Sequence, residues 1–270
     1  MTAGPHPPIE DLRAALAALD RSQAPAVWLA RLVQHGVDRL PLPGAGSTLQ
    51  RWQALCAVAE HDLSLAKLYE GHTDALAVMA EVSPTATPVA GATWGMWAAE
   101  APDGRTVLQG DASGGARLSG TKRWCSGAGQ LSHGLLTAFS PQGHGPQLVR
   151  VAMNQPGVNV CKAGWHAVGM AGTASGDVQF DGARAIALGE PRAYTERPGF
   201  MHGAAGVAAC WYGGAAGIAR HLHRLARRRQ DDAFVQAHLG AVDVALAQAA
   251  IAVAVAKMAG AVREALRCQV

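Results

Sequence analysis

The hydrophobic period of this chain changes twice, and those two changes constrain its fold more than any other feature. From Ile9 to about Val82 apolar residues recur at helical spacing, as in Leu12, Leu16 and Leu19, then Val27, Leu29, Leu32 and Val33, then Leu49, Trp52, Leu55 and Val58. Pro25, the run Pro41-Leu-Pro43-Gly44 and Gly71 interrupt that pattern. After the turn-forming connector Ser83-Pro84-Thr-Ala-Thr-Pro88, short Gly-bounded segments rich in Val, Trp, Thr and Phe take over to roughly Pro191, as strands do. Beyond Pro198-Gly199 the helical period returns, from Phe200 to about Arg229 and again to about Leu266, with Asp231-Asp232 placed to cap the second helix. The expectation is an α+β chain in three parts: an all-α domain over 1–88, a β-barrel or sandwich over 89–192, and a C-terminal helical domain over 193–270.

With 270 residues, 49% hydrophobic and 16% charged, the chain can bury a sizeable core. Its formal net charge of +3 is small, and its one dense basic cluster is Arg224, Arg227, Arg228 and Arg229, so no general nucleic-acid surface is expected. Five cysteines at wide spacings, Cys56, Cys125, Cys161, Cys210 and Cys268, form neither a disulfide framework nor a zinc ribbon, and a reducing cytoplasm is the expected compartment. The proline-rich opening lacks the basic start and apolar run of a secretory signal. The stretch Ala241–Val262 carries Asp243, Gln248 and Lys257, each costly in hydrocarbon, and is expected to be a buried helix rather than a membrane span.

Two runs carry the chemistry. The first, Leu118-Ser-Gly-Thr-Lys-Arg-Trp124-Cys-Ser126-Gly-Ala128, sets one tryptophan and one hydroxyl among residues small enough to let a planar ring approach the backbone. The second is Gly164-Trp-His-Ala-Val-Gly-Met170-Ala-Gly-Thr-Ala-Ser-Gly-Asp177-Val-Gln-Phe180-Asp. No Gly-x-Gly-x-x-Gly opens a helix after a strand and no Gly-x-x-x-x-Gly-Lys-(Ser/Thr) is present, so a nucleotide cofactor would not be held by a Rossmann or P-loop unit.

Both runs resemble the middle domain of the acyl-CoA dehydrogenase superfamily, which carries Leu-x-Gly-x-Lys-x-Trp-x-(Ser/Thr) and, later, Gly-Met-x-(Gly/Ala)-(Thr/Ser)-x-Ser-x-Asp-Val-x-Phe-Asp. The resemblance is specific from about Trp94 to Asp181 and implies an FAD site. It places Trp124 against the flavin ring, with Cys125 beside it on the same strand, and Ser126 at the ring's reactive edge, where a donor stabilises the charge of the reduced cofactor. It also places Met96, Ala98 and Ala99, on the earlier strand Trp94-Gly-Met96-Trp-Ala98-Ala-Glu100-Ala, along the pyrimidine half of the ring, chiefly through main-chain groups. Arg229 matches an arginine that reaches the dinucleotide phosphates of a neighbouring subunit, a geometry suited to a guanidinium.

The departures are equally specific. Ala99 stands where the family has a threonine, Pro102-Asp-Gly104-Arg105 replaces a Gly-Ala-Gly-Ser-Asp element, and Gln-Asp-Asp232 follows Arg229 where Phe-Gly is usual. The family's four-helix bundle is represented by two long helices, so an incomplete bundle and a homodimer or homotetramer are expected. Dehydrogenation of an acyl thioester requires a carboxylate base, yet Gly203-Ala-Ala-Gly-Val-Ala-Ala-Cys-Trp-Tyr212, where one family glutamate would lie, has no acid, and no catalytic base is assigned. His202, His221 and His223 are the nearest titratable groups on that helix; His221 and His223, two apart, point in different directions, and no metal site is expected. The resemblance thus implies an FAD-dependent oxidoreductase acting on an acyl thioester. The alternatives are a flavin-dependent monooxygenase of the same superfamily and a non-catalytic member acting in assembly.

Overall fold

A computed structural model describes residues 6–110, 115–141, 143–161 and 164–267, with 253–267 described by backbone alone; Cys268 lies outside the described residues. Four helices come first: α1 (Ile9–Ala17), α2 (Pro25–Gln34), α3 (Thr48–His61) and α4 (Leu63–Val82). Pro25 opens α2 at its first position, where a missing N–H removes no helical bond. The joint between α3 and α4 is a single residue, Asp62, whose carboxylate accepts the Leu65 N–H at 2.8 Å and so caps α4. The break expected at Gly71 is absent. Gly71 lies inside α4, where an added Cβ would come within 3.6 Å of the Met96 backbone nitrogen, so the glycine serves the close approach of helix and sheet.

Strands β1 (Trp94–Trp97), β2 (Thr106–Gln109), β3 (Arg117–Cys125), β4 (His133–Phe139), β5 (Pro146–Ala152), β6 (Val158–Cys161), β7 (Gly176–Arg184) and β8 (Ile186–Leu188) form one curled, mixed sheet. Its order is β6-β7-β3-β2-β4-β5-β8, and β1 runs parallel to β4. The two motif runs therefore meet as paired strands: β3 and β7 lie antiparallel from Arg117↔Arg184 to Cys125↔Gly176.

One buried cluster runs from Leu12 and Leu29 through Leu55 and Leu65 to Leu118, Val149 and Phe180, so the first helices and the sheet share a core. Polar pins fix their register. The His72 ring accepts the Trp94 N–H on Nδ1 at 3.1 Å and faces Asp38 with Nε2 at 3.1 Å, while the Tyr69 hydroxyl donates to the Val37 carbonyl at 2.6 Å. With Nδ1 accepting, Nε2 carries the ring proton toward the carboxylate.

The chain closes with α5 (Ala193–Glu196), α6 (Phe200–Arg228) and α7 (Ala233–Arg267). Asp232 caps α7, accepting the N–H groups of Phe234 and Val235 at 3.1 Å each, and Asp231 is not needed for that role. α6 lies tightly on α3: a Cβ at Gly213 would come within 2.3 Å of the Cys56 carbonyl oxygen, and one at Gly217 within 2.9 Å of that of Glu60. Over 233–252, the part of α7 whose side chains are described, the expected burial is not found. Its principal neighbour in the chain is α6, which leaves Phe234 81% and Ile251 63% exposed. By length and composition its Ala233–Ala252 portion would suffice to cross a membrane, and none of that portion is buried in this chain.

Candidate active site

A cleft of about 400 Å³ opens between α4, β1, the end of β3, α5 and α6, within the range of small-molecule sites. It brings together Met96, Ala98, Ala99, Trp124 and Ser126, five of the residues singled out from sequence. Its remaining wall is charged and aromatic: Lys67, Glu70 and Asp74 from α4, Arg123 from β3 and Tyr194 from α5.

Trp124 owes its position to a bulge. Between the pairs Lys122↔Val178 and Cys125↔Gly176, two residues of β3 stand opposite the single Asp177 of β7. Trp124 takes up the extra length with φ of +58°, a left-handed conformation uncommon in non-glycine residues, and its indole is left 56% exposed. The Asp177 carboxylate fills the gap in the ladder, accepting the Trp124 N–H at 3.2 Å on one oxygen and Arg123 Nη1 at 2.6 Å on the other. Arg123 reaches Asp103 with its second arm at 2.6 Å, and the hydrogen bond to Asp177 leads the causes that hold the guanidinium above its ordinary pKa. The Asp of the second run thus builds the turn that presents the Trp of the first.

Ser126 lies beside it, its hydroxyl 2.9 Å from that of Ser175, which in turn lies 3.0 Å from that of Thr173. The Ser126 carbonyl accepts the Trp97 indole N–H at 3.1 Å, and the Trp97 ring occupies the space that Cβ atoms at Gly95 and Gly134 would need. Gly127 follows with φ of +72°, and a Cβ there would strike Leu68 and Leu131. The end of β3 is therefore wedged in place beneath an exposed indole, a surface on which a flat ring could stack.

Two residues named from sequence lie elsewhere. The Cys125 side chain faces the core with no exposure, burial pushes its thiol up to about 12, and only its main chain is available to a ligand. The bulge shifts the alternation by one residue, so that Cys125 follows the buried Lys122 inward while Trp124 faces out. Arg229 ends α6 away from the cleft, 3.8 Å from Asp232 and largely exposed, so one chain alone does not bring it to the cleft. Among the histidines, His202 lies beside Gly44, His221 contacts Arg224 at 3.4 Å, and His223 pairs with Asp243 of α7 at 2.9 Å; none lines the cleft. Among the described residues no group of three metal ligands occurs.

The carboxylates sought in α6 stand instead on α4. Burial, with Glu70 adding to it, holds the Asp74 carboxyl above its ordinary value, although Arg197 at 3.3 Å and the buried Arg51 pull the other way. Glu70 pairs with Lys67 at 3.0 Å, and that carboxylate raises the Lys67 pKa. Burial pushes the Tyr194 phenol up to about 12. Arg197 ties Asp74 to Glu81 at 3.1 Å, and Glu81 accepts the Gly199 N–H at 2.9 Å, so one ion network joins α4 to the start of α6. The sequence carries a faint signal for this wall, since Lys67, Glu70 and Asp74 follow i, i+3, i+7 spacing along α4.

No protein-family model and no curated protein matches the chain at the sequence level. Solved structures do. KijD3 in complex with FMN and dTDP-3-amino-2,3,6-trideoxy-4-keto-3-methyl-D-glucose superposes with a TM-score of 0.72 at 22% identity, over 94% of this chain and 70% of that one. Methanesulfinate monooxygenase MsuC from Pseudomonas fluorescens gives 0.73 at 22%, over 92% and 73%. The Tcur3481-Tcur3483 steroid ACAD G363A variant gives 0.57 at 23%, over 92% and 73%. Taken with the paired β3 and β7 motifs, these likenesses identify the fold of the chain as that of the acyl-CoA dehydrogenase-like flavoproteins.

Proposed function

We propose that the cleft receives the ring of a flavin and that the chain is a flavin-dependent oxidoreductase acting on a small molecule. The observation that carries this is the exposed Trp124 indole, held in left-handed backbone over Ala98, Ala99 and Ser126 in a cleft of suitable size. Local strain maintained by a dedicated carboxylate is the pattern of a working site rather than of a core strand. The sequence resemblance favours FAD; KijD3, a structural neighbour, binds FMN. A flavin, when bound, supplies a two-electron acceptor. Met96, Ala98 and Ala99 offer main-chain groups to the ring, Ser126 offers a hydroxyl, and Arg229 offers its charge to the phosphates held by a second copy of the chain. Four cysteines free of disulfides, Cys56, Cys125, Cys161 and Cys210, fit a reducing compartment, and we place the protein in the cytoplasm.

For the reaction we favour dehydrogenation of an acyl thioester, with Asp74 as the base. A carboxyl held above its ordinary value transfers protons more effectively near neutral pH, and Arg197 fixes its orientation. Asp74→Asn should lower the rate of substrate-driven flavin reduction by about 10²–10⁴-fold, the usual worth of a positioned base. Glu70→Gln, which changes the pairing of Lys67 and leaves Asp74 in place, should cost less. A second reading, oxygenation of a small substrate, is supported by the likeness to MsuC and by the lack of any acid in 203–212 of α6.

The test is anaerobic mixing of the purified, flavin-loaded chain with acyl thioesters of several lengths. Substrate-dependent bleaching of the flavin without oxygen supports dehydrogenation. No bleaching, but an oxygenated product when reductant and oxygen are supplied, supports the second reading. Failure to bind FAD or FMN at all sinks both and returns the chain to a role in assembly.

A further inference from the structure

A second cleft, of about 700 Å³, lies between α1, the turn after it, the end of α3 and the last third of α6. It shares no lining residue with the flavin cleft. On α6, Val207 of one cleft and Arg220 of the other are separated by about 20 Å of helix axis.

Four arginines line it: Arg13, Arg21, Arg220 and Arg224. Its single carboxylate, Glu60, is taken by Arg220 at 2.9 Å. Among the described residues Arg13, Arg21 and Arg224 have no carboxylate within ion-pair distance. Four cations against one anion leave a local surplus of three positive charges in the lining. His61 adds nothing to it: burial and the neighbouring Arg21 keep its ring below the ordinary pKa. The floor is apolar, from Leu16, Leu19 and Ala57.

Like charges gathered around a low-dielectric floor repel one another, and the same field concentrates an anion that enters. A guanidinium matches phosphate oxygens bidentately and stays charged at any physiological pH. Three arginines without a carboxylate partner suit more than one phosphoryl group, and the volume exceeds what inorganic phosphate would fill. We propose that this cleft is a second ligand site, which takes an organic phosphate ester bearing at least two phosphoryl charges, with its organic part on the apolar floor.

The experiment is calorimetric titration of the flavin-loaded chain with ADP, pyrophosphate and sulfate, repeated on Arg13→Gln/Arg224→Gln and on Arg21→Gln, with circular dichroism to verify folding. The expected result is saturable binding of ADP and pyrophosphate, ADP the tighter, with sulfate at least tenfold weaker. The double variant should weaken ADP at least tenfold and Arg21→Gln several-fold, with flavin affinity and spectrum unchanged. Equal affinity for sulfate and pyrophosphate, or ADP binding that ignores all three substitutions, would overturn the proposal. So would loss of flavin from the double variant, since the arginines would then belong to the cofactor site. Arg184→Gln, on the surface of β7, is the control and should change neither titration.

Discussion

At φ of +58° the Trp124 backbone lies about 1–2 kcal/mol above an extended residue, because its Cβ crowds the following carbonyl. Glycine relieves that crowding and loses about 0.5–1 kcal/mol through the freedom of the unfolded chain, so Trp124→Gly should leave the urea midpoint nearly unchanged while flavin affinity falls at least tenfold. Asp177→Ala should do the reverse first: it removes the acceptor of both Arg123 and the Trp124 N–H and so lowers the urea midpoint, and flavin loss follows from the slackened bulge. A flavin titration unchanged in Trp124→Gly would mean that the indole is not the ring's platform. Lys122, two residues earlier, is nearly fully buried and donates to Glu100 at 2.7 Å and to Thr137. Burial lowers its pKa in the folded state more than Glu100 raises it. The unfolded chain therefore binds more protons between the folded value and the ordinary lysine value of about 10.4, and stability rises with pH across that window. Lys122→Met should flatten the rise in urea unfolding at alkaline pH. Glu100→Ala, which leaves the ammonium with Thr137 alone, should lower the urea midpoint at neutral pH.

At the scale of elements, glycines decide how closely α6 lies on α3. Ala is about 1 kcal/mol better than Gly inside a helix, and at Gly240 of α7, with open space around the added Cβ, Gly240→Ala should raise stability by about 0.5–1 kcal/mol. At Gly213 the same change sets a methyl within 2.3 Å of the Cys56 carbonyl oxygen, backbone that cannot swing aside, and overpacking of about 1–3 kcal/mol outweighs the propensity gain. Opposite signs in thermal denaturation are expected for the two. The same contrast explains what the amino-acid order discloses. Periodicity located the runs of helix and strand because it records which faces are buried, and the β3 and β7 motifs stood out through their resemblance to a known pair of strands, which the structure brings together around the Asp177 bulge. Gly71 misled, since a glycine at a close approach to β1 and a glycine at a helix break are the same letter. The spacing of Lys67, Glu70 and Asp74 was too weak a signal to be read as a wall, for a related reason. Charged residues one or two turns apart on a buried helix are indistinguishable, without the opposing strand and α5, from an interruption of the core.

For the whole molecule the unresolved account is apolar surface. Trp211 and Ile218 on α6, and Phe234, Val244 and Ile251 on α7, are each more than half exposed, and an apolar side chain of this size yields about 1.5–3 kcal/mol when buried. Several such residues on neighbouring helices exceed what a monomer ordinarily leaves in water. α7 is alanine-rich and offers little charge to hold a solvated face, so its stability as a long helix depends on packing rather than propensity alone. A second copy of the chain is the economical cover, because symmetric self-association buries the same patch twice. The chain should therefore sediment as a dimer or tetramer. Ile218→Lys with Ile251→Lys should shift it toward monomer while Trp124 and the cleft residues stay in place. If Arg229 acts across that interface, the dissociated variant should also bind FAD more weakly than the parent, and FMN, with one phosphate fewer, should be less affected. A parent chain that sediments as a monomer, or a dissociated variant with undiminished FAD affinity, would remove Arg229 from the site and leave the ring cleft of one chain to account for all of the flavin binding.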